Sequence, residues 1–315
     1  MSRLISFSVR NNIFEDLYNC PCSANELAVR RGFKSDIIQR LLLGLVHLGL
    51  VKKEREKFVL AEDGFLLLQK APTGFAAMTQ LWSELFDGAW QVIDQTAKTG
   101  IPGFEIVHGE PIFAFIGRDS ALAKTFDTAM SGLTNIIATE VANHIALSEL
   151  TLLCDVGGGN GALMRTILAS NPQMKGLVFD LPHVIERAIV VTEPGVITFI
   201  GGDFFESVSS APAHILSNVI HDWSDQEAIR ILHNVWRAQP REGVIYLVEM
   251  MLDHDEEPIL ARSTDLNMLM LTGGCERSYT DFDRLLSRAG FKILSVEKIV
   301  DFTCLITARR IDVAH

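Results

Sequence analysis

The sequence lacks any apolar run approaching the roughly 18 residues that cross a bilayer, so an ordinary membrane-spanning helix is excluded. Its first residues, MSRLISFSVRNNIF, carry an apolar segment that Ser, Arg and Asn interrupt, which does not fit a signal peptide. Cysteine is scarce: five residues without C-x-x-C spacing are typical of reduced thiols. We therefore expect a cytoplasmic protein that does not associate with a membrane.

Basic residues are also few. Only 28 Lys and Arg stand against 39 Asp and Glu, which gives a formal net charge of −11. This charge opposes binding to nucleic acid or to an anionic membrane surface, and it favours a small-molecule partner. Apolar residues make up 48% of the 315-residue chain, and the mean hydropathy is +0.22. A chain of this length and composition predicts two domains and a large subunit interface.

The N-terminal pattern predicts a winged-helix unit. A helix over 5–19 is followed by a second helix that Ser23 caps with Glu26, by a third over 36–50, and by the ribbon-like segment VKKEREKFVLAEDG. Winged helices often bind DNA, and this segment is locally basic. However, the helix that would read bases, IIQRLLLGLVHLGLV, is apolar and is expected to be buried.

The remaining chain predicts first helices and then an α/β sheet. Residues 75–148 show helical periodicity, interrupted by PGFEIVHGEPIFAFI, which has the turn residues of a connecting loop. Strands then alternate with helices, which predicts a doubly wound, mainly parallel sheet. The candidate strands are 151–156, 175–180, 196–200, 213–219, 243–249, 291–297 and 303–308.

The most informative segment is TLLCDVGGGNGAL, residues 151–163, in which a short apolar strand runs into four glycines before a helix. Such a turn lets a cofactor lie against the main chain. A dinucleotide fingerprint requires G-x-G-x-x-G, whereas here Gly157, Gly159 and Gly161 follow Asp155. This spacing suits S-adenosyl-L-methionine, which has no pyrophosphate and is cationic at its sulfonium.

Two further strands end in residues suited to an adenosyl group. Asp180 ends the second strand, where its carboxylate can accept hydrogen bonds from both ribose hydroxyls. Asp203 follows the third strand and can accept from the adenine amino group, while Phe204 can cover the ring. An isolated aspartate at a strand end is usually a turn residue. Together with the glycine loop, these residues predict a cofactor site at the carboxyl edge of the sheet.

His221 follows the fourth strand at the same edge, before a helix that Ser224 and Glu227 begin as a capping box. A base with a pKa near 7 at this place could take a proton from a hydroxyl that attacks a methyl group. Glu249 ends the fifth strand, and we expect it to accept a proton from the imidazole because an unpaired buried carboxylate is costly.

The segment GGCERSYTDF offers Glu276 and Arg277 in a glycine-led loop before a helix that Ser278 or Thr280 would cap. The alternative is that Glu276 and Arg277 form an ordinary surface pair. His and Glu could also suggest a metal site, but the sequence has no H-x-x-x-H or comparable ligand spacing. We therefore expect no metal.

Five segments, taken in order, resemble the caffeate-type family of S-adenosylmethionine-dependent O-methyltransferases. These segments are DVGGGNGAL, FDLPHVIERA, GGDFFESV, HDWSDQEAIRIL and GGCERSYTDFDRLLSRAGF. The resemblance covers most of the chain. It implies a winged-helix dimerisation domain over 1–95 and a Rossmann-like methyltransferase domain over 96–315, with its core from about residue 150.

The resemblance also implies roles for individual residues. His221 corresponds to the general base, and Glu249 and Glu276 to its supporting acids. The cofactor contacts correspond to Gly157, Asp180, Asp203 and Phe204, and the substrate-lining residues to Phe126, Met130, Asn267 and Met268. From this chain's own residues we also expect cofactor contacts from Gly159 of the glycine loop and from Ser217. Plant members carry a basic residue and a tryptophan where this chain has Ser217 and Asn218, and Asn160 replaces a common threonine.

The sequence thus predicts a homodimeric O-methyltransferase that uses S-adenosyl-L-methionine, releases S-adenosyl-L-homocysteine and methylates a hydroxyl of a small aromatic or polyketide-like molecule. Three alternatives stay open. The chain could methylate nitrogen, it could be a non-methylating hydroxylase, decarboxylase or pericyclase of the same fold, or it could be a winged-helix regulator. The intact set of His221, Glu249 and Glu276 argues against the last two alternatives.

Overall fold

The computed structural model describes residues 2–145, 150–190, 197–253 and 259–311. The chain divides into two compact units. The N-terminal unit comprises Met1–Gly88 and Arg118–Leu133, and the sheet unit comprises Ala89–Gly117 and Thr134–His315. Residues 118–133 group with the N-terminal unit because they pack closely on it. A Cβ on Gly132 would collide with the backbone of Thr73. The boundary of independently folding domains near residue 95 stays a prediction.

The N-terminal unit has the predicted order of helices and ribbon. Its elements are α1 (Ser2–Arg10), α2 (Ile13–Asn19), α3 (Ala24–Arg31), α4 (Ser35–His47), β1 (Val51–Glu54) and β2 (Lys57–Leu60), with β1 and β2 antiparallel. The single helix predicted over 5–19 is wrong, because Asn12 adopts a left-handed φ of 51° between α1 and α2. The Ser23 capping box with Glu26 is confirmed.

Helix α4 buries one face only. Ile38, Leu42 and Leu45 are buried, whereas Ile37 and Leu43 are exposed. The expectation that this helix is buried therefore holds for one side, and its outer side is a mixture of apolar and polar residues.

The predicted helical region over 75–148 is confirmed as far as residue 144, and 146–148 lie outside the described residues. After a 3-10 turn (Asp63–Leu67), it contains α5 (Phe75–Leu81), a π-helical turn (Trp82–Phe86), α6 (Asp87–Trp90), α7 (Ile93–Thr99), α8 (Gly103–His108), α9 (Ile112–Gly117) and α10 (Ser120–His144). The loop predicted within it is wrong, because fully buried Phe104 packs against Phe115 and orders α8 and α9. Among the described helices, none combines the length and apolar character that crossing a membrane requires.

The sheet unit contains a seven-stranded sheet in the order β5-β4-β3-β6-β7-β9-β8. The strands are β3 (Leu152–Val156), β4 (Lys175–Asp180), β5 (Ile197–Gly201), β6 (Ala213–Ser217), β7 (Val244–Glu249), β8 (Phe291–Val300) and β9 (Thr303–Arg310). The first five are parallel, and β9 is antiparallel to both of its neighbours. Residue 196, predicted to start β5, lies outside the described residues.

Helices cover both faces of this sheet. They are α11 (Ala162–Ser170), α12 (Pro182–Val190), α13 (Asp225–Ala238), α14 (Ile259–Leu271) and α15 (Tyr279–Arg288), together with the end of α10. One apolar core joins the sheet to α13 and α15, and the other joins it to α10, α11 and α12. The predicted Rossmann-like, doubly wound α/β class is therefore confirmed.

Strand β3 pairs with β4 on one side and with β6 on the other, so the order of the chain reverses at β3. In open α/β sheets, ligands bind beyond the carboxyl ends of the strands at such a reversal. This topology brings the ends of β3, β4, β6 and β7 to one edge, where the glycine loop, Asp180, Ser217, His221 and Glu249 lie.

Candidate active site

The glycine loop turns sharply between β3 and α11. Gly157 has a φ of 74°, and a Cβ on it would lie 2.8 Å from Cγ2 of Val219. Gly159 has a φ of 55°, and no atom of the described residues lies within 4 Å of the place where its Cβ would be. Both positions therefore favour glycine, the first because of close packing and a positive φ, and the second because of its positive φ alone. An open main-chain turn of this kind fits the cofactor that the loop predicts.

Asp180 supports this loop. Its Oδ2 accepts a hydrogen bond from the Gly159 N–H at 2.8 Å, and its Oδ1 accepts one from the Leu181 N–H at 2.7 Å. The Asp155 carboxyl lies beneath the loop, since a Cβ on Gly158 would come 2.6 Å from its Cγ. Burial, and then the nearby Asp180 carboxylate, raises the pKa of Asp155 to about 7.

The other predicted cofactor residues lie near the ends of β5 and β6. Oδ1 of Asp203 accepts a hydrogen bond from the Phe205 N–H at 2.8 Å, which fixes the turn that presents half-buried Phe204. The Phe204 ring packs edge-on to Trp223, with centroids 5.8 Å apart. Ser217 ends β6, and its buried Oγ has no hydrogen-bond partner among the described residues. An unpaired buried hydroxyl is costly, so Ser217 fits a polar ligand group.

His221 lies in a 3-10 turn, Ile220–Asp222, beyond the end of β6. Its Nδ1 is 2.8 Å from Oε1 of Glu276, and both side chains are buried. Because a carboxylate only accepts hydrogen bonds, Nδ1 carries the hydrogen. The Nε2 atom is 3.9 Å from Oδ1 of Asp222 and makes no hydrogen bond with the described residues.

Glu249 does not make the expected hydrogen bond with the imidazole. Its Oε1 accepts hydrogen bonds from the N–H groups of Val219 and Ile220, at 3.1 and 2.8 Å. Its Oε2 is 3.9 Å from Nδ1 of His221, too far for a hydrogen bond. The imidazole therefore donates to Glu276, and Glu249 holds the backbone before His221 while contributing charge.

Glu276 and Arg277 do not form a surface pair, since both are buried. Oδ1 of Asp265 on α14 accepts the Glu276 N–H at 3.0 Å, which anchors the loop. Ser278, and not Thr280, begins α15, in a capping box with Asp281. The Ser224 capping box that begins α13 is confirmed as well.

The carboxylates determine the protonation of the imidazole. Burial by itself lowers the pKa of His221, but the nearby Asp222, Glu249 and Glu276 outweigh burial and raise the pKa to about 10. The expected pKa near 7 is therefore corrected upward. Burial also raises the pKa of Glu249 to about 7 and that of Asp222 to about 6. The cluster thus holds at least one proton near neutral pH.

His221, Glu249 and Glu276 place ligand atoms within 4.8 Å of one another, a spacing that could hold a metal ion. Ligand spacing along the sequence did not reveal this cluster, because its members come from three separate segments. The 2.8 Å hydrogen bond between His221 and Glu276 already uses two of these ligand groups.

Two predicted substrate-lining residues, Asn267 and Met268, are half-buried on α14. The Met268 carbonyl accepts the N–H groups of Thr272 and Gly273, which ends the helix beside the Glu276 loop. The other two, Phe126 and Met130, lie one turn apart on α10 in the N-terminal unit and are half-buried. Their contact with a substrate stays a prediction.

Sequence reasoning missed two carboxylates of this region. Asp222 is adjacent to His221, and its position next to a candidate base could have indicated a role. Asp265 lies in the mainly apolar helix ILARSTDLNMLML, where an isolated acid is a signal of a specific partner.

Comparison with known proteins identifies the family. The model of the O-methyltransferase domain matches residues 82–292. The phenazine O-methyltransferase of Lysobacter antibioticus is 31% identical over 93% of this chain and 88% of its own length. The 3-amino-4-hydroxybenzoate 4-O-methyltransferase of Streptomyces cremeus is 32% identical over 90% of this chain and 80% of its own.

The structural comparison agrees. Human N-acetylserotonin methyltransferase, solved in complex with S-adenosylmethionine, superposes with a TM-score of 0.91 at 27% identity. The superposition covers 99% of this chain and 94% of that chain. The fold, the glycine loop and these matches lead to one conclusion: the chain belongs to the O-methyltransferase family, whose members are S-adenosylmethionine-dependent enzymes.

Proposed function

We propose that this enzyme transfers a methyl group from S-adenosyl-L-methionine to a hydroxyl of a small aromatic or polyketide-like molecule, with His221 as general base. The observation that carries the proposal is the buried pair of His221 and Glu276. Since Nδ1–H donates to Glu276 at 2.8 Å, the lone pair of Nε2 is the one available to accept a proton. The pair lies at the edge of the sheet where ligands of this fold bind.

When bound, S-adenosyl-L-methionine would supply an electrophilic methyl group on a cationic sulfonium, with S-adenosyl-L-homocysteine as the leaving product. Nε2 of His221 would accept the proton that the acceptor hydroxyl loses on methylation. Glu276 keeps the imidazole in the required tautomer, and the carboxylates of Glu249 and Glu276 stabilise the imidazolium that forms. Alignment of the reactants supplies most of the acceleration, because it replaces a bimolecular encounter.

The raised pKa of His221 sets a condition on this mechanism. With a pKa of about 10, the His221 ring is protonated at neutral pH in the enzyme without ligand, and only the unprotonated ring can act as a base. We therefore infer that the proton is shared within the cluster, where the pKa of Glu249 is about 7 and that of Asp222 is about 6. Turnover should rise with pH as the cluster of His221, Asp222, Glu249 and Glu276 loses this shared proton.

For the cofactor, we propose contacts from the positions predicted above. The backbone at Gly157 and Gly159 would lie against the ligand, and the Asp180 and Asp203 carboxylates would accept hydrogen bonds from the ribose and the adenine. Phe204 would cover the adenine ring, and the Ser217 hydroxyl would meet the adenosyl group or the methionine end. The open space above Gly159 supports this assignment, as does the Oγ of Ser217, which has no hydrogen-bond partner in the described part of the chain.

For the acceptor, we propose a hydroxylated aromatic compound of secondary metabolism, with Asn267 and Met268 on α14 among its contacts. The names of the two bacterial relatives support this class, since one acts on a phenazine and the other on an aminohydroxybenzoate. We also propose that the reaction needs no metal ion, because a hydroxyl that loses its proton to His221 does not require a Lewis acid.

One assay tests the proposed activity. The purified chain is incubated with S-adenosyl-L-methionine and a panel of phenols, naphthols and hydroxyphenazines, with excess EDTA present. Formation of S-adenosyl-L-homocysteine together with an O-methylated product supports the proposal. Activity that EDTA abolishes and Mg²⁺ restores would show a metal-dependent reaction, and a product methylated only on nitrogen would favour the N-methyltransferase alternative.

We further propose that residues 1–95 form a homodimer in a cytoplasmic enzyme and do not bind DNA. Exposed apolar side chains in this region support the dimer: Val29 is 78% exposed and Tyr18 is 57% exposed. Sedimentation should then give twice the chain mass of 34.9 kDa. A monomer at micromolar concentration, or salt-sensitive binding to random duplex DNA, would contradict this proposal.

A further inference from the structure

Arg277 is a buried cation next to the site and has no part in the proton transfer described above. Its side chain is only 2% exposed. Its guanidinium donates to two carbonyl groups of the His221 turn: Nη1 to Ile220 at 3.0 Å and Nη2 to Trp223 at 2.8 Å. Nε donates to Oδ1 of Asp225 at 3.0 Å, so each nitrogen of the guanidinium has an acceptor.

These carbonyls flank His221 on both sides. Ile220 immediately precedes His221, and Trp223 follows it by two residues. Because a guanidinium is planar and its donors have fixed directions, it fixes the distance between the two carbonyls it binds. Arg277 therefore holds both ends of the short turn that carries the imidazole.

The loop that contains Arg277 makes two further hydrogen bonds with His221. The Cys275 N–H donates to the His221 carbonyl at 2.9 Å, and the Glu276 carboxylate accepts from the imidazole. Gly274 packs so closely that a Cβ would collide with the His221 carbonyl oxygen and the Asp222 backbone. Three consecutive residues, Cys275 to Arg277, thus bind the backbone of His221, its ring and its flanking carbonyls.

We infer that Arg277 is a positioning residue for methyl transfer. Its hydrogen bonds to the carbonyls of Ile220 and Trp223 determine the position of the His221 ring. This inference rests on the proposed role of His221 as general base. The hydrogen bonds of Arg277 go to Asp225 and to backbone carbonyls and not to the imidazole, so Arg277 acts through the backbone. Lysine cannot replace it, because one ammonium lacks the planar set of donors that spans both carbonyls.

If Arg277 positions His221, its substitution should slow the chemical step specifically, which a purely structural role does not predict. A misplaced base slows the chemical step, and a shift of about 1 Å can cost about 100-fold in rate. Cofactor affinity should be unaffected, because no hydrogen bond of Arg277 goes to the glycine loop or to Asp180. A loss confined to kcat is therefore the expected signature.

The test compares Arg277→Lys with Arg284→Met. Arg284 also contacts Asp225, at 3.6 Å, but it is 58% exposed and does not touch the His221 turn. We expect Arg277→Lys to lower kcat by about 10- to 100-fold, with the cofactor Kd and the acceptor KM unchanged, and Arg284→Met to match wild type. Wild-type kcat in folded Arg277→Lys, or a loss seen only in Kd or KM, would overturn the inference.

A second variant keeps the test decisive if Arg277→Lys does not fold. Asp225→Asn weakens the ion pair between Arg277 and Asp225 at a partly exposed position, so it should fold and give a smaller loss of kcat. In both variants, the NMR resonance of the His221 Nδ1–H proton in ¹⁵N-histidine-labelled enzyme should shift, whereas Arg284→Met should leave it in place. An unshifted resonance in both would overturn the inference.

The two proposals fail separately. If His221→Ala retains turnover, the general-base proposal fails, while the NMR shift still reports whether Arg277 positions the ring. If His221→Ala is inactive but Arg277→Lys and Asp225→Asn have wild-type kcat, the inference about Arg277 alone is wrong.

Discussion

Nδ1 of His221 and Oε1 of Glu276 lie 2.8 Å apart, although 55 positions separate the two residues in the sequence. The hydrogen bond fixes the ring and its tautomer, and it joins the turn after β6 to the loop before α15. A proton acceptor at Nε2 follows from this one contact, because an imidazole that donates from Nδ1 can accept only at its other nitrogen.

The charge of Glu276 should control the pH dependence of turnover. Because Glu276 is one of three carboxylates that raise the pKa of His221, Glu276→Gln should lower that pKa while it keeps an acceptor oxygen for Nδ1–H. Activity requires the unprotonated ring, so it rises with pH. The rise should move to lower pH by about one unit in the variant. Profiles of kcat/KM against pH measure this shift, with exposed Glu206→Gln as the control. An unmoved profile would show that Glu276 does not set the protonation of the base.

Asp180 should be necessary for cofactor affinity. We expect Asp180→Ala to weaken binding of S-adenosyl-L-methionine and S-adenosyl-L-homocysteine by about 2 to 4 kcal/mol. The variant removes the proposed acceptor for the ribose hydroxyls and also the hydrogen bond that supports Gly159. Calorimetry with both ligands tests this, and the exposed Asp301→Ala serves as the control. Unchanged affinity in a folded Asp180→Ala enzyme would remove Asp180 from the site.

Asp155 should limit stability above neutral pH. Its pKa in the folded protein, about 7, exceeds the ordinary value of 3.8. The stabilisation from its protonated form is therefore complete below about pH 4 and is lost as the pH rises through 7.

Asp155→Asn should remove this pH-dependent loss, because asparagine stays neutral. Without ligand, the variant should be more stable than wild type at pH 8, by on the order of 3 kcal/mol, and nearly equal to it at pH 4. Denaturant unfolding at the two pH values measures the difference. Equal free energies of unfolding for wild type and Asp155→Asn at pH 8 would mean that Asp155 ionises in the folded protein with little loss of stability.

Much of the sheet could be predicted because its signals are local. The strand predicted over 175–180 is β4 as observed, since its apolar run and its terminal aspartate both lie within one short segment. The same holds for His221, which follows a strand and precedes a capping box. Helices α8 and α9 were missed because Pro and Gly bound each of them, and their order depends on burial of Phe104.

The sequence predicts which carboxylates lie near His221, but it does not predict which of them accepts the hydrogen bond from the ring. Both glutamates were expected near the ring, yet which one accepts its hydrogen bond depends on the Val219 and Ile220 N–H groups, which occupy one Glu249 oxygen. Arg277 could not be identified as buried, because a charged pair after a glycine is usually exposed. Its burial depends on carbonyl acceptors more than 50 positions away in the sequence.

Turnover of His221→Ala tests the central claim most directly. The variant should lose about 10² to 10⁴ in kcat at neutral pH, while calorimetry shows wild-type affinity for S-adenosyl-L-methionine. Its activity should recover as the pH approaches the pKa of the acceptor hydroxyl, because an ionised acceptor needs no base. Exposed His233→Ala, which removes the same ring elsewhere, should match wild type throughout. Wild-type turnover of His221→Ala at neutral pH would contradict the account, because the acceptor proton would then leave without this residue.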